Sequence, residues 1–170
     1  DEVPGGLGYV GYITGVNVDF FDSLWRAGIV PVASCLGLGA DGELYNINAD
    51  HMAAACAEYL SADHLIYLTD VAGVLDGSKI LRAVNCEEIG ALVATRVVSG
   101  GMLLKLEAAK RALEGGVAEV RIVGGAAPDA LFAAMGGAGS RPKRKRARFN
   151  GTRVTFQPHC AKEREAVVTA

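Results

Sequence analysis

The sequence predicts an α/β fold, a three-layer αβα sandwich built on a mostly parallel sheet. Apolar runs of strand length, "IVPVASCL" at 29–36, "HLIYLTD" at 64–70 and "AEVRIVGG" at 118–125, recur along the chain. Between them lie amphipathic stretches of about 10 to 13 residues with helical periodicity, and that alternation is the signature of parallel strands joined by crossover helices. The composition agrees, since 170 residues with 51% hydrophobic content suffice for one packed core or half of a larger one.

Taken in order, "LGYVGYITGVN" at 7–17 is broken by glycines and reads as a short strand or hairpin. The stretch "VDFFDSLWRAG" sets Phe20, Leu24 and Ala27 on one helical face, with Gly28 at the stop position. "IVPVASCL" is continuously apolar, as expected of a strand covered on both faces. Asp41-Gly42 is a hairpin signal between "SCLGLG" and "ELYNI". A helix from Ala49 to about Leu60, capped by Asn48, carries Ala53, Cys56, Ala57 and Leu60 as its inward stripe. "HLIYLTD" reads as a second buried strand. The loop "VAGVLDGS" then leads to a weak strand around 79–84 and a helix around 87–94. Gly100-Gly101 opens a helix to about Glu114, Gly115-Gly116 closes it, and "AEVRIVGG" supplies the next strand.

Charge divides the chain unevenly. Residues 1–139 hold 8 Lys and Arg against 17 Asp and Glu, whereas residues 140–170 hold 9 against 2. The basic run "RPKRKRAR" offers little to bury, so 140–170 is expected to be a poorly ordered basic tail outside the core. Such a run can bind phosphate backbones nonspecifically, but it has almost no aromatic interleaving, and a solvated tail is the favoured reading. No apolar run approaches the roughly 20 residues that span a bilayer, which with the absence of a leader pattern makes a cytoplasmic, soluble protein the expectation. Cys35, Cys56, Cys86 and Cys160 form no C-x-x-C pair, Cys35 and Cys56 read as small core residues, and the histidines show no metal-ligand spacing; no metal site is expected.

The chemistry-bearing residues cluster where strands end. Lys105 reads as lying in the first turn of the helix after "SGGM", where exposed N–H groups and the macrodipole already favour negative charge. A lysine there is disfavoured by up to about 1 kcal/mol unless an anion accompanies it, so a phosphate seat is one explanation. A surface lysine that merely follows a glycine turn is the other. Asp50 sits in a helix's first turn, which is locally favourable whatever the function. Asn46 precedes the cap, and its carboxamide can donate to a carboxylate and accept from an amide, as recognition of an acylated amino acid requires; an ordinary turn asparagine fits equally. Thr69 and Asp70 end a strand, and the apolar "VAGVL" after them could wall a base-binding slot. The pattern G-x-x-x-x-G-K-[ST] is absent.

In this order, "LGYVG", "GIVPVAS", "DGELYNINAD", "LIYLTDVAGVL", "SGGMLLK" and "GGVAEVRIV" resemble the C-terminal half of the acetylglutamate kinases, within the amino acid kinase family. The likeness covers about residues 7–125, and Asn-x-Asn-Ala-Asp is its specific part. It implies an amino acid kinase fold with 1–139 as the nucleotide-binding half, and ATP-dependent phosphorylation of the side-chain carboxylate of N-acetyl-L-glutamate in arginine biosynthesis. ATP and Mg²⁺ are the implied cofactors, and the full-length family is homo-oligomeric. By position, Asn46 and Asn48 would contact acetylglutamate, Lys105 would stabilise the transferring phosphoryl group, and Asp50 would orient the catalytic lysines. Thr69, Asp70, Val71, Ala72, Gly73, Val74, Leu75, Val97, Val98, Ser99 and Gly101 would line the nucleotide.

Two departures qualify the likeness. The family's N-terminal half, with a second lysine and a glycine-rich phosphate loop, has no counterpart here, so little turnover is expected from this chain alone. The basic run also replaces part of the closing segment, although 128–135 can still form its helix. The competing readings are a catalytically silent module binding nucleotide or acetylglutamate, and a phosphotransferase of another branch of the family.

Overall fold

The computed structural model describes residues 8–135 and 149–156. A four-stranded sheet forms its centre in the order β3-β7-β8-β6, from β3 (His64–Thr69), β6 (Ala83–Asn85), β7 (Glu119–Gly124) and β8 (Gly151–Thr155). β3 runs parallel to β7 and β6 parallel to β8, while β7 and β8 are antiparallel. Two small hairpins stand apart: β1 (Leu36–Leu38) with β2 (Leu44–Asn46), and β4 (Leu75–Asp76) with β5 (Lys79–Ile80).

Alternation across the pleat assigns the layers. Leu65 and Tyr67 of β3, Val120 and Ile122 of β7, and Val154 of β8 point into one core with Ala54 and Ala57 of α2 (Ala49–Tyr59) and Leu106, Ala108, Ala109, Ala112 and Leu113 of α4 (Gly100–Glu114). Alanines on both helices let the backbones approach the sheet closely. Val123, on the opposite side of β7, is buried with Ala133 and Ala134 of α5 (Ala130–Ala134). Arg121 ties the two together, donating to the Ala134 carbonyl oxygen at the end of α5 and to Glu119. The remaining helices are α1 (Val18–Arg26) and α3 (Ile89–Ala94), the latter entered through a 3₁₀ turn at Cys86–Glu88.

Several elements match expectation, among them both glycine-bounded ends of α4, the Asp41-Gly42 hairpin with Gly42 at φ +86°, and β3 and β7. Others are corrected. The expected tail at 140–170 contains β8, a strand inside the sheet whose Thr152 and Val154 are wholly buried. Thr152, Arg153 and Val154 alternate between buried and exposed, but the neighbouring run of charge masks so short a period. The basic run at 141–148 itself lies outside the described residues.

The run at 29–34 forms no strand: Pro31 lacks an N–H for a ladder, and Val30 and Val32 lie exposed. At 7–17 the expected strand reduces to one bridge, Val10 to Asn46. β3 is buried on alternate residues rather than on both faces, with Leu65 and Tyr67 turned to the α2 and α4 core and Leu68 exposed on the other face. Of the expected α2 stripe, Ala57 is buried and Ala53 packs against the core, whereas Cys56 and Leu60 are only half-buried and Ala54 and Ala55 are enclosed in their place. Cys35 and Cys56 are only half-buried; Cys86 is the enclosed one, and burial pushes its thiol up to about 11.

Thr152 joins β8 to the loop that follows β3. Its hydroxyl accepts from the Val74 N–H at 2.9 Å and donates to the Leu81 carbonyl oxygen at 2.5 Å. Gly73, at φ +152°, lies so close that a Cβ would meet Thr152 Oγ1 at 2.8 Å. Gly151 serves the neighbouring contact, since a Cβ there would meet the Ile122 carbonyl oxygen at 2.5 Å. Thr152→Val keeps the shape and removes both hydrogen bonds, leaving a buried donor and acceptor unpaired. It is expected to destabilise the fold by about 2 kcal/mol or more, read by chemical denaturation.

Candidate active site

The first turn of α2 and the start of α4 meet above the C-terminal end of β3. Asn48 makes the α2 end possible. Its Oδ1 accepts from the N–H groups of Asp50 at 3.0 Å and His51 at 3.2 Å, satisfying donors that a helix start leaves unpaired. Asp50 is thereby fixed in the first turn. Lys105 reaches it from α4, its Nζ donating to Asp50 Oδ1 at 2.7 Å and Oδ2 at 2.9 Å. The side chains are 21% and 15% exposed, enclosed enough to strengthen the pair yet open to a ligand on one side.

The position of Lys105 differs from expectation in one respect. α4 begins at Gly100, which places Lys105 in the second turn. The helix field falls off within the first turn, so the dipole conflict invoked from sequence is smaller than expected. What remains is geometric: side chains lean towards a helix's N-terminus, and this one carries its ammonium back to the glycine-rich opening. An ammonium has three N–H donors, and Asp50 engages two. The third is available to an anion.

Tyr67 supports the pair from below and was not anticipated. It is 5% exposed, its hydroxyl donates to the Asp50 carbonyl oxygen at 2.9 Å, and the Lys105 ammonium lies 5.6 Å from its ring centroid. Burial, with Asp50 nearby, holds the phenol well above its usual range, so it stays a neutral donor.

A cleft of about 330 Å³ opens beyond the C-terminal ends of β3 and β7, the usual ligand position in open α/β sheets. Asp70, Val71 and Ala72 line it from the predicted set; Gly124, Ala127, Asp129 and Asn150 were missed. Thr69 Oγ1 donates to Asp70 Oδ1 at 3.0 Å, and the Gly125 N–H donates to the Thr69 carbonyl oxygen at 2.7 Å, closing the floor. Val74 and Val98 are buried in the core and Val97 packs against it, so they present backbone rather than side chains to any ligand. Leu75 begins the β4 hairpin. Ser99 and Gly101 are exposed at the opening of α4, and Ser99 makes no side-chain cap. Asn46 is exposed in β2, its backbone N–H donating to Tyr9 O at 2.7 Å.

A lysine-carboxylate pair near two helix starts, with a cleft at the strand ends of an α/β sheet, is an arrangement suited to seating an anionic ligand such as a phosphate. Comparison with known proteins supplies the class. The sequence profile of the amino acid kinase family matches residues 1–124, and the chain belongs to that family. Acetylglutamate kinase of Koribacter versatilis is 51% identical over 126 residues, 74% of this chain and 48% of that protein. The acetylglutamate kinase of Acidobacterium capsulatum is 49% identical over 69% of this chain and 45% of its own length. Among solved structures, N-acetylglutamate synthase from Neisseria gonorrhoeae shares the fold, with a TM-score of 0.74 at 24% identity over 88% of this chain and 33% of that one. The chain therefore spans about half the length of the curated relatives it matches.

Two substitutions separate scaffold from site. Asn48→Ala removes the α2 cap and is expected to cost about 1 kcal/mol in thermal denaturation, whereas Asn48→Asp retains it. Tyr67→Phe keeps the ring but leaves the Asp50 carbonyl short of a partner, with an expected loss of about 1 kcal/mol by the same measurement.

Proposed function

We propose that this chain is the nucleotide-binding half of an ATP-dependent kinase that phosphorylates the side-chain carboxylate of N-acetyl-L-glutamate, a step of arginine biosynthesis in the cytoplasm. The observation that carries the reading is the bidentate contact of Lys105 with Asp50 at the glycine-rich start of α4, joined to about 50% identity with two acetylglutamate kinases.

In this reading a carboxylate oxygen of acetylglutamate attacks the terminal phosphorus of ATP, and the bond to the bridging oxygen of ADP breaks. Phosphoryl transfer needs positioning and charge stabilisation more than a protein nucleophile. Lys105 supplies positive charge to the transferring oxyanions, and Asp50, held by the Asn48 cap and by Tyr67, keeps the ammonium in place. Asn46 and Asn48 offer carboxamide groups to the acetylated substrate. The cleft behind Asp70–Ala72, with the backbone of 73–75 and 97–101, receives the nucleotide.

Mg²⁺ would neutralise charge between the phosphates. Such an ion is carried chiefly by nucleotide oxygens and water.

The test is nucleotide binding followed by turnover. The chain is expected to bind MgATP, with Lys105→Ala weakening ATP more than AMP, because the lysine addresses the terminal phosphate. ADP release dependent on acetylglutamate is expected to be negligible from this chain alone and to appear when the remaining part of the family's domain is added. Equal loss of ATP and AMP affinity would remove Lys105 from the phosphate site.

A further inference from the structure

The cleft at the strand ends has one polar wall whose hydrogen-bonding sense is set from outside it. β8 runs antiparallel to β7 with Gly151 opposite Val123, so Asn150, which leads into β8, stands at the C-terminal end of β7 and lines the cleft. β6 lies parallel to β8, which brings Arg82, the residue leading into β6, alongside. The Arg82 carbonyl oxygen accepts from the Arg153 N–H at 3.1 Å, and its guanidinium donates from Nη1 to Asn150 Oδ1 at 2.7 Å.

A guanidinium carries donors only, so the end of the Asn150 amide that faces Arg82 must be its oxygen. The other end is the NH₂ group, and among the described residues nothing accepts from it. Asn150 thus brings to the cleft two N–H donors. Both partners are exposed, so their bond adds little to stability; its effect is on direction.

The rest of the cleft says which part of a nucleotide it takes. The charged side chains lining it are the carboxylates of Asp70 and Asp129, with no lysine or arginine among the described residues, and such a lining repels phosphate oxygens. Val71, Ala72 and Ala133 present apolar surface. A flat, neutral heterocycle suits this lining, and a small number of placed polar groups gives such sites their specificity.

We infer that Asn150, with its amide turned by Arg82, is a specificity-determining residue that donates to a ring-nitrogen acceptor of the purine base. This rests on the proposed function for the presence of ATP. Asn150 touches the base, and Arg82 is a positioning residue that acts through it.

The test is isothermal titration of the 170-residue chain with MgATP and with its 1-deaza, 3-deaza and 7-deaza analogues, in each of which a C–H replaces one ring acceptor. One analogue is expected to bind at least about fivefold more weakly than ATP, because the amide N–H then faces carbon, and its identity names the nitrogen. That penalty is expected to vanish in Asn150→Ala and to shrink in Arg82→Met, where the freed amide can present its oxygen instead. Both variants change exposed side chains, so circular dichroism should not move. Equal binding of ATP and all three analogues, or a penalty that survives Asn150→Ala, overturns the assignment of Asn150. A bond that only pinned the entry to β8 would give that result, changing thermal stability alone. A penalty undiminished in Arg82→Met overturns the part given to Arg82. Where ATP binding still depends on Lys105, each of these failures leaves the kinase reading standing, whereas no ATP binding at all would sink that reading and this one together.

Discussion

The ion pair between Lys105 and Asp50 is the constraint on which the rest of the architecture converges. It joins residues 55 positions apart, and each partner stands near the start of a helix packed on the same sheet face. Only a fold that aims two helix N-termini at one point can build it. The alanines of α2 and α4 make that possible by letting both helices sit close to β3 and β7, and Tyr67 sets the height at which they meet. Coulomb attraction at such a half-enclosed site is worth more than on an open surface, yet less than a dry interior would give. The pair is better understood as placing a charge than as holding the fold together.

Placement explains the division of labour around it. The core beneath is built from small and branched residues that fix backbone positions, while the polar groups gather at the C-terminal edge of the sheet. Thr152 belongs to the same logic, although it never approaches the ammonium. By bonding to Val74 and Leu81, on either side of the β4-β5 hairpin, it fixes the base of that hairpin just beyond the cleft residues Asp70, Val71 and Ala72.

The sequence revealed elements whose signals are local. The Asn48 cap, the Asp41-Gly42 turn and the double glycines around α4 each act within a few residues and appear where expected. Signals that depend on distant partners were misread. Residues 29–34 have the composition of a covered strand, but a strand requires a neighbour, and here Pro31 and the exposed valines find none. β8 was hidden for the opposite reason: a five-residue strand in which only Thr152, Arg153 and Val154 alternate between buried and exposed follows a run of arginines and lysines, and segment-wide charge outweighed so short a period. Lys105 and Asp50 stood out by type and position, and the structure brings them together, as it brings Asp70 to the cleft with Thr69 bonded to it. Tyr67, Gly124 and Asn150 did not stand out, because each matters through a contact between elements that no spacing along the chain discloses.

The central claim is that the lysine at the glycine-rich mouth of α4 exists to meet phosphate. A crystal structure of this chain with Mg²⁺ and a non-hydrolysable ATP analogue tests it most directly. The account predicts a terminal phosphate oxygen about 3 Å from Lys105 Nζ, with the base in the cleft behind Asp70. An analogue bound elsewhere, with the Lys105 ammonium still engaged by Asp50 alone, would contradict it.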